Sequence, residues 1–321
     1  MKRYILRRLI TGALAVMVVF TLTFFITRLA PGDPIRILAG MDDPSPEMMQ
    51  RLYEKYGLDK PIHIQLVNYL KNVLQGNMEN SILYNEPVTK LIGETLGSSL
   101  LLALSGVLLA ALIGTALGLY AAQHRGGIVD IVVSATTYIF NSMPSFWLGL
   151  MIIVLFSTRL GWFPSSGMYN MRAGYTGFKY VVDVLHHLAL PVMTLTLISV
   201  PSYFKISKSS VIQVMSEDYI TTFRATGMGE NEIFRKYVFK NAILPTVTMF
   251  GISLAFLFTG SVLIETVFAW PGMGRLLMGG ITRRDYPLIM AIYLMLSVTI
   301  AVMMILTDLV YAYIDPRIRY Q

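Results

Sequence analysis

The chain contains no cysteine and little charge. Its 321 residues include four histidines and only 14% charged residues, and 55% of them are hydrophobic. The absence of cysteine excludes disulfides, thiolate metal sites and cysteine nucleophiles. Soluble domains carry about 25% charged residues. The low charge and a mean hydropathy of +0.59 therefore predict that most of the surface faces something other than water.

Motifs for catalysis are also missing. The sequence has no G-x-x-x-x-G-K-[ST] phosphate loop, no H-E-x-x-H, no G-x-S-x-G and no EF-hand pattern. His186 and His187 are adjacent, and adjacent residues point about 100° apart on a helix, so they form a poor metal clamp. We predict that the chain is not an enzyme, has no catalytic or metal-ligating residue, and binds no cofactor itself.

Long apolar runs occur six times. Each approaches or exceeds the ~20 residues that cross a bilayer as a helix. The fourth run is short and contains Pro191 and Pro201, which are tolerated where neighbouring helices satisfy the freed carbonyls. The sequence therefore predicts an all-α polytopic membrane protein with six spans. The runs are residues 9–27, 98–122, 131–156, 188–204, 246–264 and 287–307.

Basic residues are concentrated before the first run and after the fourth, whereas the loop 157–187 holds only three. The positive-inside rule then predicts that both termini and the loop 205–245 are cytoplasmic. The segment 30–97 lies outside and is left out of the count, because loops longer than about 60 residues cross regardless of charge. The net charge of +7 follows from this bias and requires no nucleic acid.

Four parts are predicted along the chain. Residues 1–29 form the N-terminus and first transmembrane helix, kept as an anchor because no small-x-small cleavage site follows it. Residues 30–97 form an extracytoplasmic domain, 98–315 a core with five transmembrane helices, and 316–321 a cytoplasmic tail. The extracytoplasmic domain is too small for a strong core of its own and is expected to lean on the membrane part. It is either a docking surface for an external partner or an elaborate loop.

The polar segment from Ser216 to Pro245 is patterned as a connector. Ser216 is predicted to cap a helix with Glu217 and Asp218 in its first turn, and Gly227 to end that helix in a left-handed conformation. A second helix is predicted from Glu230, with Glu232 and Lys236 as a favourably oriented ion pair. The first helix would present an apolar ridge formed by Tyr219, Ile220 and Phe223. The alternative is a solvated loop with two helical turns.

Two further patterns lie within the apolar runs. Small residues recur every fourth position in the second run, which favours close helix packing; they are Gly106, Ala110, Gly114, Gly118 and Ala122. Glu265 and Asp308 are ionisable residues near the ends of the fifth and sixth runs, close enough to an interface to be hydrated. Each is a candidate for touching a substrate or a gate.

The sequence resembles the first permease subunit of bacterial peptide-type ABC importers, the oligopeptide and dipeptide permease family, over nearly its whole length. The pattern is densest near the C-terminus. The matching segments include Leu29-Ala30-Pro31-Gly32-Asp33-Pro34, Gly57-Leu58-Asp59-Lys60-Pro61, Met143-Pro144-Ser145-Phe146-Trp147, Glu265-Thr266-Val267-Phe268-Ala269-Trp270-Pro271-Gly272-Met273-Gly274, Arg284-Asp285-Tyr286-Pro287 and Asp315-Pro316-Arg317.

The resemblance implies a type I ABC importer permease fold and a set of partners. These are a homologous second permease, two cytoplasmic ATP-binding subunits that use ATP and Mg, and an extracytoplasmic solute-binding protein, in the bacterial inner membrane. The family's ATPase-engaging signature falls on the connector. The residues it implies for coupling are Glu217, Asp218, Tyr219, Ile220, Phe223, Arg224, Ala225, Gly227 and Pro245.

Two alternatives remain beside peptide import. Relatives within the family also carry nickel chelates or other small solutes, so the resemblance leaves the substrate open. A secondary transporter is a different class, and it would need coupling-ion residues inside its helices. The sequence has few such residues. A membrane enzyme would need a catalytic cluster, and none is found.

Overall fold

The structure, a computed structural model, describes residues 2–29, 45–55, 57–257 and 261–314, with side chains at 6–29, 45–54, 57–257 and 261–307. These residues form helices and no β-strand. The α-helices are α1 Lys2–Leu29, α2 Pro46–Lys55, α3 Ile62–Leu74, α4 Val88–Gln123, α5 Ile128–Ser142, α6 Ser145–Ile152, α7 Phe178–Met215, α8 Asp218–Ala225, α9 Glu230–Ile233, α10 Phe239–Ala242, α11 Leu244–Ala255, α12 Val262–Val267, α13 Met273–Arg283 and α14 Tyr286–Ile314.

In the described part of the chain, five helical stretches are long and apolar enough to cross a membrane, and a bent pair makes a sixth candidate. This agrees with the six predicted spans. The third run is not one straight helix, however, because α5 and the helix that follows it meet at 106°. The bend lies at Met143, whose backbone is extended (φ −82°, ψ 133°). Pro144 disfavours the helical conformation in the residue before it.

The fourth run is longer and more regular than its sequence suggests. It forms part of α7, a helix of 38 residues that contains both Pro191 and Pro201. The fifth run is the interrupted one. α11 ends at Ala255, and Phe256 leaves the helical conformation (φ −102°, ψ 17°).

The chain forms two compact units. The first is Met1–Ser99 with Pro271–Ile305, and the second is Leu100–Trp270 with Leu306–Gln321. The predicted division into four parts remains a prediction.

In the first unit, α3 of the outer segment packs on two long helices. Phe20 and Phe24 of α1, Tyr69 of α3, and Met290 and Leu294 of α14 form one buried cluster. The Phe20 and Tyr69 rings stack with centroids 5.5 Å apart. As expected for a segment too small to form its own core, the outer segment uses apolar side chains of the membrane helices.

A buried carboxylate holds a second part of the outer segment. Asp285 accepts hydrogen bonds from the Ser81 hydroxyl and from the backbone N–H of Leu83 at 2.9 Å. It also accepts one from the N–H of Leu288 at 3.2 Å, at the start of α14. Ser81 and Asp285 are both fully buried. The segment around residues 81–83 is therefore fixed to the corner between α13 and α14.

The second unit is organised by close packing of α4 on α7. A Cβ atom added at Gly114 would lie 2.7 Å from the Val200 carbonyl oxygen, and one at Gly118 would lie 2.7 Å from the Phe204 carbonyl oxygen. Such distances are too short for real atoms, so only glycine permits this approach. The prediction that the small residues serve helix packing is confirmed.

Candidate functional site

The connector begins where α7 ends. Ser216 keeps a nearly helical backbone (φ −91°, ψ 0°), and its hydroxyl donates to the Gln213 carbonyl at 2.7 Å. The prediction that Ser216 caps the next helix is therefore wrong, because its hydroxyl is directed back toward α7. Glu217 is the N-cap residue of α8, with an extended backbone (φ −73°, ψ 145°). Asp218 lies in the first turn, where its charge favours the helix dipole.

The end of α8 is a Schellman motif. The N–H of Met228 donates to the Phe223 carbonyl at 3.1 Å, and the N–H of Gly227 donates to the Arg224 carbonyl at 3.0 Å. Gly227 has φ +83°, as predicted. A Cβ atom added there would meet nothing within 4 Å. Glycine is therefore required by backbone conformation and not by lack of space.

Ile220 attaches α8 to the rest of its unit. It is fully buried in a cluster with Val211 of α7, Ala122 of α4, and Ile233 and Val238 of the following segment. It cannot belong to the exposed ridge predicted with Tyr219 and Phe223. Its apolar side chain is used inside the chain, so direct contact of Ile220 with a partner is corrected to a supporting role.

An aromatic group covers one side of α8. The rings of Phe223 and Tyr237 lie 4.2 Å apart, and those of Tyr219 and Phe223 lie 6.0 Å apart. Phe223 is half-buried by these contacts, whereas Tyr219 is 38% exposed. The Asn241 amide reaches the Tyr219 hydroxyl at 3.4 Å. Tyr219 is thus the exposed aromatic side chain of α8.

An ion pair closes the turn after α8. Arg224 donates through Nε to Glu230 Oε1 at 2.6 Å and through Nη2 to Glu230 Oε2 at 3.2 Å. This two-point contact joins the last turn of α8 to the first turn of α9. The guanidinium is therefore held within the chain, although it remains partly exposed. The predicted pair of Glu232 and Lys236 is confirmed at 2.6 Å.

The stretch between α8 and α11 bends through irregular helix. A π-helix, Phe234–Val238, separates α9 from α10, and such turns are frequent at functional sites. Pro245 lies in the first turn of α11, where its missing N–H costs nothing. We define the coupling surface as the exposed residues of α8 and its N-cap; these are Glu217, Asp218, Tyr219, Thr221, Thr222, Arg224 and Ala225.

Sequence reasoning missed one contact that supports this segment. Asp130, in the first turn of α5, accepts hydrogen bonds from Lys208 Nζ, from the Ser134 hydroxyl at 3.1 Å and from the N–H of Gly126 at 3.1 Å. Lys208 lies on α7, about two turns before that helix ends at Met215. The position of Asp130 at the start of α5 would be expected from the helix dipole alone. Nothing in the sequence links it to Lys208, which lies 78 residues later.

The structure describes the side chain of only one of the two candidate pathway residues. Glu265 in α12 is fully buried and accepts a hydrogen bond from Ser261 at 2.9 Å, so the expectation that it is hydrated is wrong. The side chain of Asp308 lies outside the described residues. Within the part of the chain that the structure describes, no three His, Asp or Glu side chains are placed to hold a metal ion.

Family models match most of the sequence. Residues 114–320 match "Binding-protein-dependent transport system inner membrane component", and residues 1–88 match its N-terminal domain. This family is a membrane component of a transport system and not a catalytic subunit. The candidate connector lies inside the first of these matches.

Curated relatives align over nearly the whole chain. The oligopeptide transport system permease protein AppB of Bacillus subtilis is 35% identical to this chain, and the alignment covers 100% of both chains. The di/tripeptide transport system permease protein DppB of Pseudomonas aeruginosa is 34% identical over 94% of each chain. The glutathione transport system permease protein GsiC of Salmonella typhimurium is 34% identical over 100% of each.

A solved structure shares the fold. A chain of the MetNI methionine ABC transporter, in an inward-facing conformation, matches with a TM-score of 0.54 and 18% identity, over 71% of this chain and 97% of that one. The predicted type I ABC permease fold is confirmed. With two family models and full-length relatives in agreement, the chain belongs to the inner membrane components of binding-protein-dependent transport systems.

Proposed function

We propose that this chain is the permease subunit of an ATP-driven importer of oligopeptides or dipeptides, and forms half of its translocation pathway. The relatives named above are permease proteins for oligopeptides, di- and tripeptides, and glutathione. All of these cargoes contain peptide bonds. This shared chemistry supports a peptide substrate over nickel chelates or another small solute.

The proposed assembly contains four kinds of protein. This chain pairs with a homologous permease in the bacterial inner membrane, with both termini cytoplasmic. Two cytoplasmic ATPases bind and hydrolyse ATP with Mg, and an extracytoplasmic solute-binding protein delivers the peptide. No bond in the peptide is broken by this chain.

The construction of α8 is the observation that carries the proposed link to the ATPase. An isolated helix of eight residues is not stable in water. Here α8 is held by the buried side chain of Ile220, by the Schellman turn at Gly227 and by the Arg224–Glu230 pair. A helix fixed at three points moves with its support. Displacement of the coupling surface by an ATPase would therefore be passed to the helices beneath it.

The buried cluster that holds α8 also includes a residue of α7. Val211, near the end of α7, belongs to the same buried cluster as Ile220. α7 is an unbroken helix of 38 residues. The Asp130–Lys208 pair joins α7 to the start of α5. A push on α8 would move α7 and α5 together. We expect closure of the ATPase pair to open the pathway by this route.

Uptake in cells tests the proposed function. The gene for this chain is deleted and restored in its native host, and uptake of a labelled tripeptide is compared with uptake of labelled nickel in the presence of a chelator. We expect only peptide uptake to require the chain. Loss of nickel uptake with normal peptide uptake would favour the alternative substrate. Import that continues without the ATPase subunits would favour a secondary transporter.

A further inference from the structure

A polar cavity of about 370 Å³ lies in the first compact unit, lined by the end of α1 and by side chains between residues 54 and 85. Its wall includes two cationic side chains, Arg28 and Lys60, and two carboxylates, Glu54 and Glu79. Its volume lies within the range of small-molecule sites, about 300–1,000 Å³. The cavity is formed by residues that the proposed coupling mechanism does not use.

Two hydrogen-bond donors in this wall have no partner among the described residues. Tyr69 is 2% exposed, and its hydroxyl is buried and unpaired. The Arg28 guanidinium lies 5.5 Å over the rings of Phe24 and Tyr286, and its Nε is also buried and unpaired. Buried donors are normally satisfied, because leaving them unpaired is unfavourable. Together they fit a carboxylate group.

Two acceptors in the same wall are also incompletely satisfied. The Gln65 amide donates to the Lys60 carbonyl at 2.7 Å, but its Oε1 is buried and has no partner in the described part of the chain. Glu79 receives a long hydrogen bond of 3.4 Å from Asn72. Burial raises the pKa of its carboxyl group. A positively charged hydrogen-bond donor would satisfy both groups.

The backbone of Glu79 is also unusual. Its φ is +63°, a conformation that is unfavourable for residues other than glycine and is concentrated at functional sites. The N–H of Val88 bonds to the Glu79 carbonyl at 3.1 Å, and the Asn77 side chain accepts from the Glu79 N–H at 2.9 Å. The loop thus holds Glu79 in this conformation and keeps its carboxylate in the cavity wall.

We infer that this cavity binds a small zwitterion, whose carboxylate contacts Arg28 and Tyr69 and whose ammonium group contacts Glu79 and Gln65. An amino acid or a short peptide has this chemistry. A solvated cavity would satisfy the same atoms with water, but it would show no preference for a ligand that carries both charges. The inference goes beyond the proposed function, which supplies only the choice of a dipeptide as probe.

The test uses the full-length chain, purified in its membrane complex without a solute-binding protein and placed in phosphatidylglycerol nanodiscs. Binding of radiolabelled alanyl-alanine is measured by equilibrium dialysis. We expect saturable binding that N-acetyl-alanyl-alanine amide, which lacks both charges, does not compete. Glu79→Gln removes the negative charge opposite the ammonium group, and Tyr69→Phe removes a hydrogen bond to the carboxylate. Each should weaken binding about tenfold.

Matched controls separate this site from the translocation pathway. Tyr84→Phe and Glu86→Gln change exposed side chains in the same segment and should bind the dipeptide normally. Tyr69→Phe keeps the ring that stacks on Phe20, so the unfolding temperature of this variant should not be lowered. If Glu79→Gln does not fold, dipeptide binding by Tyr69→Phe alone tests the site.

Three outcomes would overturn the inference. They are an absence of saturable dipeptide binding, unchanged binding by both cavity variants, and binding lost when phosphatidylethanolamine replaces phosphatidylglycerol. The last would identify a zwitterionic lipid headgroup as the occupant. Peptide uptake by the wild-type complex keeps this result distinct from the proposed function, because normal uptake by a wild-type chain that does not bind the dipeptide would reject the site alone.

Discussion

The connector 216–245 and the outer segment 45–87 are both polar stretches between long apolar helices, yet they satisfy their polar groups differently. In the connector, charged side chains pair with near neighbours, as Arg224 does with Glu230 and Glu232 with Lys236. In the outer segment, Gln65 and Tyr69 have buried polar atoms around a cavity, and these atoms have no partner among the described residues. Local pairing yields a firm surface for a partner, whereas unpaired buried groups indicate a site for a ligand.

The two regions are predicted to lie on opposite sides of the membrane, and this is the largest expected difference between them. A cysteine at Asn68 should react with an impermeant thiol reagent in intact cells, and one at Glu230 should not, because positive loops remain inside. The native chain has no cysteine that would obscure the result. Both side chains are exposed, so accessibility within the protein does not differ. The reverse labelling pattern would refute the predicted orientation.

Gly227→Val should have the largest effect on coupling. Valine at φ +83° adds a strain of about 1–2 kcal/mol, which reduces the population of the native turn about 5- to 30-fold. We expect ATP hydrolysis stimulated by loaded binding protein, and uptake, to fall together while the complex still assembles. The measurement is stimulated ATPase activity of the purified complex.

Two controls test the conformational reason. Gly227→Asn should retain most coupling, since asparagine tolerates the left-handed conformation. Gly229→Ala should be nearly neutral, because Gly229 has φ −67° and a Cβ there meets nothing within 4 Å. Wild-type stimulation by the valine variant would show that the turn is not a coupling element.

Asp285→Ala should release the outer segment. The substitution leaves the buried N–H groups of Leu83 and Leu288 without their acceptor, at a cost of about 3 kcal/mol. We expect a lower unfolding temperature in detergent and faster proteolysis near residues 77–87. Ser81→Ala removes one of the hydrogen bonds to Asp285 and also the acceptor of the Tyr84 N–H at 3.0 Å, so it should cost about 2 kcal/mol. Wild-type stability of Asp285→Ala would show that Asp285 does not hold the segment.

The smallest effect is expected for the ion pair that closes the connector turn. Exposed pairs contribute little to stability, so Arg224→Glu should leave unfolding unchanged and reduce stimulated ATP hydrolysis through misplacement of α8. The double variant Arg224→Glu and Glu230→Arg, which swaps the two charges, should restore part of that activity. If the double variant is no better than the single one, Arg224 acts by contacting the partner rather than by holding the turn.

Local patterns gave correct predictions where neighbours in sequence decide the conformation. Gly227 ends α8 because a positive φ after a helix favours glycine, and the Glu232–Lys236 pair forms because residues four apart share a helix face. The prediction that Ser216 caps α8 was wrong for a related reason. Its hydroxyl has two backbone choices within reach, and it bonds to the preceding helix instead of capping the next one.

Long-range contacts could not be predicted in this way. The pairing of Asp130 with Lys208 and of Asp285 with Ser81 joins residues 78 and 204 positions apart. Ile220 shows the same limit, because its spacing places it on an apolar face but does not say whether that face meets a partner or the chain itself. The break at Phe256 lies inside an apolar run whose composition remains uniform. The break at Met143 has a local signal in Pro144, but a proline alone does not decide between a bent and a straight span, as Pro191 and Pro201 inside α7 show.

The sequence by itself determined the class of this protein, because hydrophobic runs long enough to cross a bilayer can exist only as spans, and the segments they separate carry recognisable family patterns. The tertiary structure alone decided which polar groups are paired and which side chains are buried. Those outcomes depend on distances between segments that are far apart in the chain. The burial of Ile220 and the unpaired hydroxyl of Tyr69 arise only when those segments pack together.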